Sequence, residues 1–273
     1  MSTQKTADLL ARRERLLGVG IATFYQDPVQ IVRGEGVWLH DADGRRYLDL
    51  YNNVPCVGHA HPHVVEAMQR QTETLNVHSR YLHEGILDYA ERLTALHHDA
   101  ISTAVFTCSG TEANEVAIMM ARAATDGRGL ICTDAAYHGN STEVRKLSRL
   151  RSAADKEFRS IPVPQLYRAV DGDLAEDALT DAYLDLLQAE IDGFAADGVP
   201  FAGLVLCPIL ANEGLPDIPS DFMARAADKV HAAGGLFICD EVQAGFARTG
   251  RWWGYETSGF EPDIISMGKP MGN

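Results

Sequence analysis

Four short stretches of this chain carry side chains able to do chemistry. In Cys108-Ser109-Gly110-Thr111-Glu112-Ala113-Asn114-Glu115 small residues open a helical pattern. Free backbone N–H groups at a helix N-terminus are the physical requirement for cradling a phosphate. Taken alone, the stretch reads more readily as an ordinary helix start, capped by Thr111 with Asn114 in the first turn. The stretch Thr133 to Asn140 gathers Tyr137, His138 and Gly139: an aromatic ring that can stack on a flat heterocycle, an imidazole and a flexible link. A lone Tyr-His pair is more often a loop anchor. Phe237-Ile238-Cys239-Asp240-Glu241-Val242-Gln243 ends an apolar run in two acids, where an unpaired charge is costly. Strand alternation sends Asp240 and Val242 to one side and Glu241 to the other. Finally, Asp263 to Gly268 delivers Lys269, followed by Pro270. A lysine there is ordinarily a solvated surface residue.

The elements around these stretches place them at one edge. Between Thr103 and Gly268, apolar runs (TAVFTC, GLICTD, FAGLVLCPI, GLFICDEV, DIISMG) alternate with amphipathic helical patterns at 111–124, 176–196 and 220–233. Strands apolar on both faces and separated by helices predict a mostly parallel sheet covered by helices, an α/β fold. Ligands of such sheets sit at the carboxyl ends of the strands, where all four stretches fall. A phosphate cradle, an aromatic plate, an acid and a lysine together meet the needs of pyridoxal phosphate. The lysine amine forms a Schiff base, the acid pairs with the ring nitrogen, and the cradle holds the phosphate.

Ahead of the sheet, residues 3–17 have the pattern of an amphipathic helix, and Val29 to Tyr51 reads as two alternating runs joined by Asp41-Ala42-Asp43-Gly44, an antiparallel hairpin. Helices are predicted from 62 to 75, with Pro62 in the first turn, and from 84 to 97. Residues 1–60 thus read as a helix plus a β-hairpin, and 61–273 as an α/β segment. The polar segment 147–173 reads as an irregular excursion.

Composition narrows the function classes. With 24 basic and 38 acidic residues the net charge is −14, which disfavours nucleic acid and anionic membranes as partners. Five scattered cysteines form no C-x-x-C, so neither a disulfide framework nor a metal site is expected. No apolar run has the length of a membrane span, and the N-terminus lacks a leader-like apolar core. These features predict a cytoplasmic protein.

The order and wording of the motifs resemble class III aminotransferases of the fold type I pyridoxal phosphate enzymes. The resemblance runs from Asp27 to Asn273 through RGEGVWLHDADGRRYLDL, SGTEANE, AYHG, DEVQAGFARTG and GKPMGN. Within that class, NNVPCVGHAHPHVVEAM, LNVHSRYLHE and MGKPMGN are similar to the alanine–glyoxylate aminotransferase 2-like branch, which includes phospho-lyases of ethanolamine phosphate or phosphohydroxylysine. The resemblance implies that Gly110 and Thr111, with Ser109, bind the cofactor phosphate. It implies that Tyr137 stacks on the outer ring face and His138 shapes that edge. Asp240 would pair with the pyridine nitrogen, Val242 pack under the ring, and Gln243 hydrogen-bond the phenolic oxygen. Lys269 would be the Schiff-base lysine and proton shuttle, and Glu241 structural.

Where most of the class shows Glu-Pro-Val-Gln-Gly-Glu-Gly-Gly, this chain has Cys207 to Gly214, CPILANEG, so both acids of that loop are displaced or absent. The sequence ends four residues after Lys269, whereas the family continues, so the chain is read as a fragment. The resemblance implies that residues 1–60 are the N-terminal part of a small α+β domain and 61–273 an incomplete large cofactor-binding domain. The implied activity is transfer of an amino group from an amine or ω-amino acid to a keto acid by a homodimer. A phospho-lyase on a phosphorylated amine is the alternative, and an inactive remnant a third reading.

Overall fold

The computed structural model describes residues 3–18, 20, 23, 25–148, 155–172 and 174–273, so parts of the predicted excursion, 149–154 and 173, lie outside the described residues. The chain divides into two compact units, Met1–Val77 with Gly272–Asn273, and His78–Met271.

The smaller unit contains α1 (Thr3–Leu17), β1 (Ile31–Glu35), β2 (Trp38–Asp41), β3 (Arg46–Leu48) and α2 (Pro62–Thr74). The predicted hairpin is β2–β3, with Trp38 opposite Leu48, and the strand before it adds β1 antiparallel to β2, making three strands. The buried Asp41 carboxylate holds the turn closed. Its Oδ1 accepts the N–H groups of Asp43 (2.9 Å) and Arg45 (2.8 Å), and its Oδ2 accepts the Tyr47 hydroxyl (2.7 Å). Pro62 opens α2, where the missing N–H costs nothing. Within the same unit, Asn273 bonds both the N–H of Val57 and the carbonyl of Gly58, each at 2.9 Å.

The larger unit contains α3 (Glu84–Thr94), α4 (Gly110–Thr125), β4 (Gly129–Thr133), β5 (Phe158–Ile161), α5 (Glu176–Ala196), β6 (Phe201–Leu206), α6 (Phe222–Ala232), β7 (Leu236–Asp240) and β8 (Ile264–Ser266). Its five strands lie in the order β5-β4-β6-β7-β8, all parallel. From β4 the chain steps outward to β5 and then crosses to β6, from which it runs the other way, so the direction reverses between β4 and β6. Such a reversal opens a crevice at the carboxyl ends of the strands.

Residue alternation sends side chains to two cores. Ile131, Leu204, Leu206, Phe237 and Cys239 pack with α5 and α6 residues such as Tyr183, Leu187 and Val230. Leu130, Cys132, Ala202, Val205 and Ile238 pack with Ala117, Ile118 and Ala121 of α4. Because both faces are covered, β4, β6, β7 and β8 are mostly apolar, which is why they read as apolar runs.

Two expectations are corrected. TAVFTC forms no strand: its residues have no ladder partner among the described residues, and Val105 and Phe106 are exposed. β-propensity favours extended backbone, but a strand also needs a neighbour. Conversely, the excursion at 147–173 contains the edge strand β5, pairing Phe158 to Ile161 with Leu130 to Thr133. Its interior residues Arg159 and Ser160 mask it as polar. The two terminal nitrogens of the Arg159 guanidinium donate to Glu190 (3.0 Å), Asp197 (2.8 Å) and the carbonyl of Gly193 (3.0 Å).

Candidate active site

The phosphate-cradling sequence folds as the start of α4. Ser109, not Thr111, is the N-cap: its backbone is extended, and its side chain accepts the N–H of Glu112 at 3.2 Å. The Glu112 carboxylate reaches back to the N–H of Cys108 at 2.7 Å. The Ser-x-x-Glu spacing, a helix-start signature, favours this position over Thr111. With Ser109 as cap, Gly110 and Thr111 present the first free N–H groups of the helix.

Two glycines keep this corner open. A Cβ at Gly110 would stand 2.9 Å from a Val242 methyl. At Gly139, where φ is +145°, it would stand 2.7 Å from the Thr111 hydroxyl. Only residues without a side chain allow so close an approach.

At the end of β7 the two acids part as alternation predicts. Asp240 Oδ2 accepts from His138 Nδ1 (2.7 Å) and Asn114 Nδ2 (3.1 Å), while Oδ1 accepts the N–H of Val242 (3.0 Å). Glu241 turns away and is fully buried, its two oxygens accepting the N–H groups of Gly254 (2.9 Å) and Tyr255 (2.8 Å). Burial pushes its carboxyl up to about 7, against the lowering effect of those two donors. Glu241 therefore ties the Trp253–Tyr255 turn to the sheet.

Ser109, Gly110, Thr111, Tyr137, His138, Asp240, Val242, Gln243 and Lys269 all line one cavity of about 690 Å³ in the larger unit. Tyr137 is half exposed, its carbonyl accepting from Asn212 Nδ2 at 2.9 Å. Lys269 opens a short 3-10 turn, Lys269–Gly272, three residues beyond Ser266, the end of β8. Cys207 also lines the cavity, but burial and the nearby Asp240 push its thiol up to about 12, so it is no nucleophile there.

Two participants were not singled out from sequence. Asn212 comes from the loop after β6, which has no pattern to read. Asn114 had a signal: it heads the buried stripe Asn114, Ala117, Ile118, Ala121 of α4, and a polar residue at such a position must have partners. Among the described residues there is no cluster of His, Cys, Asp and Glu able to hold a metal ion. No described helix is long and apolar enough to cross a membrane.

Open backbone N–H groups, an anionic carboxylate, an aromatic ring and an amine in one cavity match a flat, phosphorylated, cationic heterocycle bearing an aldehyde. A parallel sheet with this site at its carboxyl edge belongs to the fold type I pyridoxal phosphate enzymes. The chain is a member of the class-III aminotransferase family, whose family model matches residues 22–273.

Among curated proteins it is similar to an alanine–glyoxylate aminotransferase 2-like protein of Drosophila melanogaster, 35% identical over 96% of this chain and 55% of that protein. It also resembles an ethanolamine-phosphate phospho-lyase homolog of Caenorhabditis elegans, 32% identical over 97% of this chain and 61% of that protein. Among solved structures, a phospholyase from Arthrobacter in complex with phosphoethanolamine superposes with a TM-score of 0.90 at 39% identity, covering 97% of this chain and 63% of that one. An (S)-enantioselective omega-transaminase from Thermomicrobium roseum superposes with a TM-score of 0.84 at 27% identity, covering 97% and 63%. The chain thus spans little more than half the length of these relatives.

Proposed function

We propose that this chain forms the cofactor-binding part of a pyridoxal phosphate enzyme that moves the amino group of an amine or ω-amino acid to a keto acid. One cavity lined at once by the α4 N-terminus, Tyr137, Asp240 and Lys269 carries this reading, and family membership supports it. Bound there, pyridoxal phosphate supplies an aldehyde that condenses with amines and a protonated ring that withdraws electrons from the adjacent carbon.

The chain's own residues divide the remaining work. Ser109, Gly110 and Thr111 hold the phosphate against the α4 N-terminus. Tyr137 covers the outer ring face, with His138 at that edge, Val242 supports the inner face, and Gln243 donates to the phenolic oxygen. The Asp240 carboxylate accepts the ring N–H and keeps that nitrogen protonated. The Lys269 amine would hold the cofactor by its aldehyde and would serve as the base that moves the proton at the substrate carbon.

A second reading has its own support. Elimination of phosphate from a phosphorylated amine would use the same residues, and identity to the Arthrobacter phospholyase, 39%, exceeds that to the Thermomicrobium transaminase, 27%. In the altered loop Cys207–Gly214 the acids typical of the class are displaced or absent, so it supports neither reading over the other. Exposed Val105, Phe106, Met119 and Met120 in the larger unit support assembly as a homodimer. Free cysteines, two of them exposed, support a reducing, cytoplasmic setting, although two relatives carry mitochondrial in their names.

The experiment gives the cofactor-loaded protein ethanolamine phosphate without a keto acid. Inorganic phosphate and ammonia would establish elimination. Amino transfer that requires an added keto acid, with reversible change of the bound chromophore, would establish transamination. A protein that retains no chromophore and turns over neither would overturn both readings.

A further inference from the structure

Asn114 is 2% exposed and stands one turn into α4, where three elements meet. Its Nδ2 donates to the carbonyl of His138 at 2.7 Å and to Asp240 Oδ2 at 3.1 Å. The His138 carbonyl can only accept, so it fixes which way the amide faces and which group reaches Asp240. Both amide hydrogens are then committed. The Asn114 Oδ1 is buried without a partner among the described residues. Leaving a buried acceptor unpaired is costly, so the side chain is placed here for its two donors and not for its oxygen.

One of those donors shares a carboxylate oxygen with His138. Asp240 Oδ2 receives the Asn114 amide at 3.1 Å and His138 Nδ1 at 2.7 Å, while Oδ1 accepts, among the described residues, the N–H of Val242 and, at 3.5 Å, the Ser266 hydroxyl. Two donors on Oδ2 fix the rotation of the carboxyl group about Cβ–Cγ. They also require Oδ2 to be an acceptor, which places the His138 proton on Nδ1. Because Asn114 lies in the helix whose first residues, Gly110 and Thr111, line the cavity, one rigid element sets both that corner and the acid.

We propose that Asn114 is a positioning residue that locks the Asp240–His138 pair in register with the N-terminus of α4. This rests on the reading of Asp240 as the partner of the cofactor ring nitrogen. Aspartate in its place has the same shape but no amide donors and sets a second carboxylate beside Asp240, so the pair would share a proton. Leucine keeps the volume and removes both donors.

Asn114→Leu and Asn114→Asp test this with two readouts. In the cofactor-free protein, the imidazole Nδ1–H of His138, assigned by its loss in His138→Gln, should give a low-field, slowly exchanging proton resonance. Both Asn114 variants should shift it and speed its exchange. In the loaded protein, kcat should fall roughly tenfold or more, with KM and cofactor content within about twofold of wild type. An unchanged His138 resonance in both variants would overturn the proposal. So would a loss of activity that merely tracks lost cofactor or lost folded protein, or failure of both variants to fold, which would make Asn114 a packing residue. If wild type binds no pyridoxal phosphate, the functional reading fails, and the cofactor-free resonance still decides whether Asn114 orders the pair.

Discussion

Asp240 and His138 face one another across 2.7 Å, Oδ2 to Nδ1, although 102 residues separate them in sequence. Both are buried, so bulk water cannot replace either partner. The pair joins the end of β7 to the loop after β4 and so spans the two sides of the crevice. Truncating one partner leaves a buried polar group unsatisfied, which costs more than the bond itself is worth.

That relationship separates two roles. Asp240→Asn keeps the shape of the site but removes the anion, so activity should fall by roughly a hundredfold while cofactor content changes little. Gly110→Val should do the opposite, since its side chain would press on Val242 and fill the approach to the helix N-terminus. Turnover and cofactor retention measured side by side decide this, and equal behaviour of the two variants would refute the division.

Lys269 should be the point of covalent attachment. Borohydride reduction of the loaded protein followed by peptide mass mapping is expected to leave the pyridoxyl mass on Lys269 and to lose it in Lys269→Ala. Label on another lysine, such as Lys229, would sink the assignment.

Two groups around the site, the buried Glu241 and the half-buried His97, titrate in opposite senses. Glu241 is raised to about 7, so its protonated form is favoured on folding. That contribution is whole below the ordinary carboxylate range and is lost as pH rises through about 7. His97, stacked on Trp253 at 4.1 Å, is lowered to about 4 by burial and by His98, so its contribution is present above its ordinary value and lost as pH falls toward 4. The two windows overlap and offset each other. Melting curves between pH 4 and 8 should therefore show that Glu241→Gln leaves mainly the acid-side loss, and His97→Leu mainly the loss on the alkaline side. Parallel profiles for both variants and wild type would contradict these directions.

Ser109→Ala should cost about 1 kcal/mol of stability, since the N–H of Glu112 loses its cap. Denaturant titration reads this directly, and Thr111→Val should leave α4 capped. A larger loss in Thr111→Val than in Ser109→Ala would return the cap to Thr111.

The sequence by itself determined the alternation of apolar runs and helices, the hairpin over Val29 to Tyr51, and the order in which the site residues follow the strands. Each of these is a local periodicity or a turn signal, legible wherever burial on both faces leaves no polar interruption. Asp240 and Glu241 were separable for the same reason, since neighbours on a strand face opposite ways. Tertiary structure decided what depends on a distant neighbour. Thr103 to Cys108 have strand composition but no ladder partner among the described residues, while Phe158 to Ile161 pair despite an arginine whose charge is neutralised by Glu190 and Asp197. Asn114 shows the same limit at the site. Its place on the buried stripe of α4 announces that it needs partners, but those partners, His138 and Asp240, lie 24 and 126 residues away, and only the packing of α4 against the sheet brings them within reach.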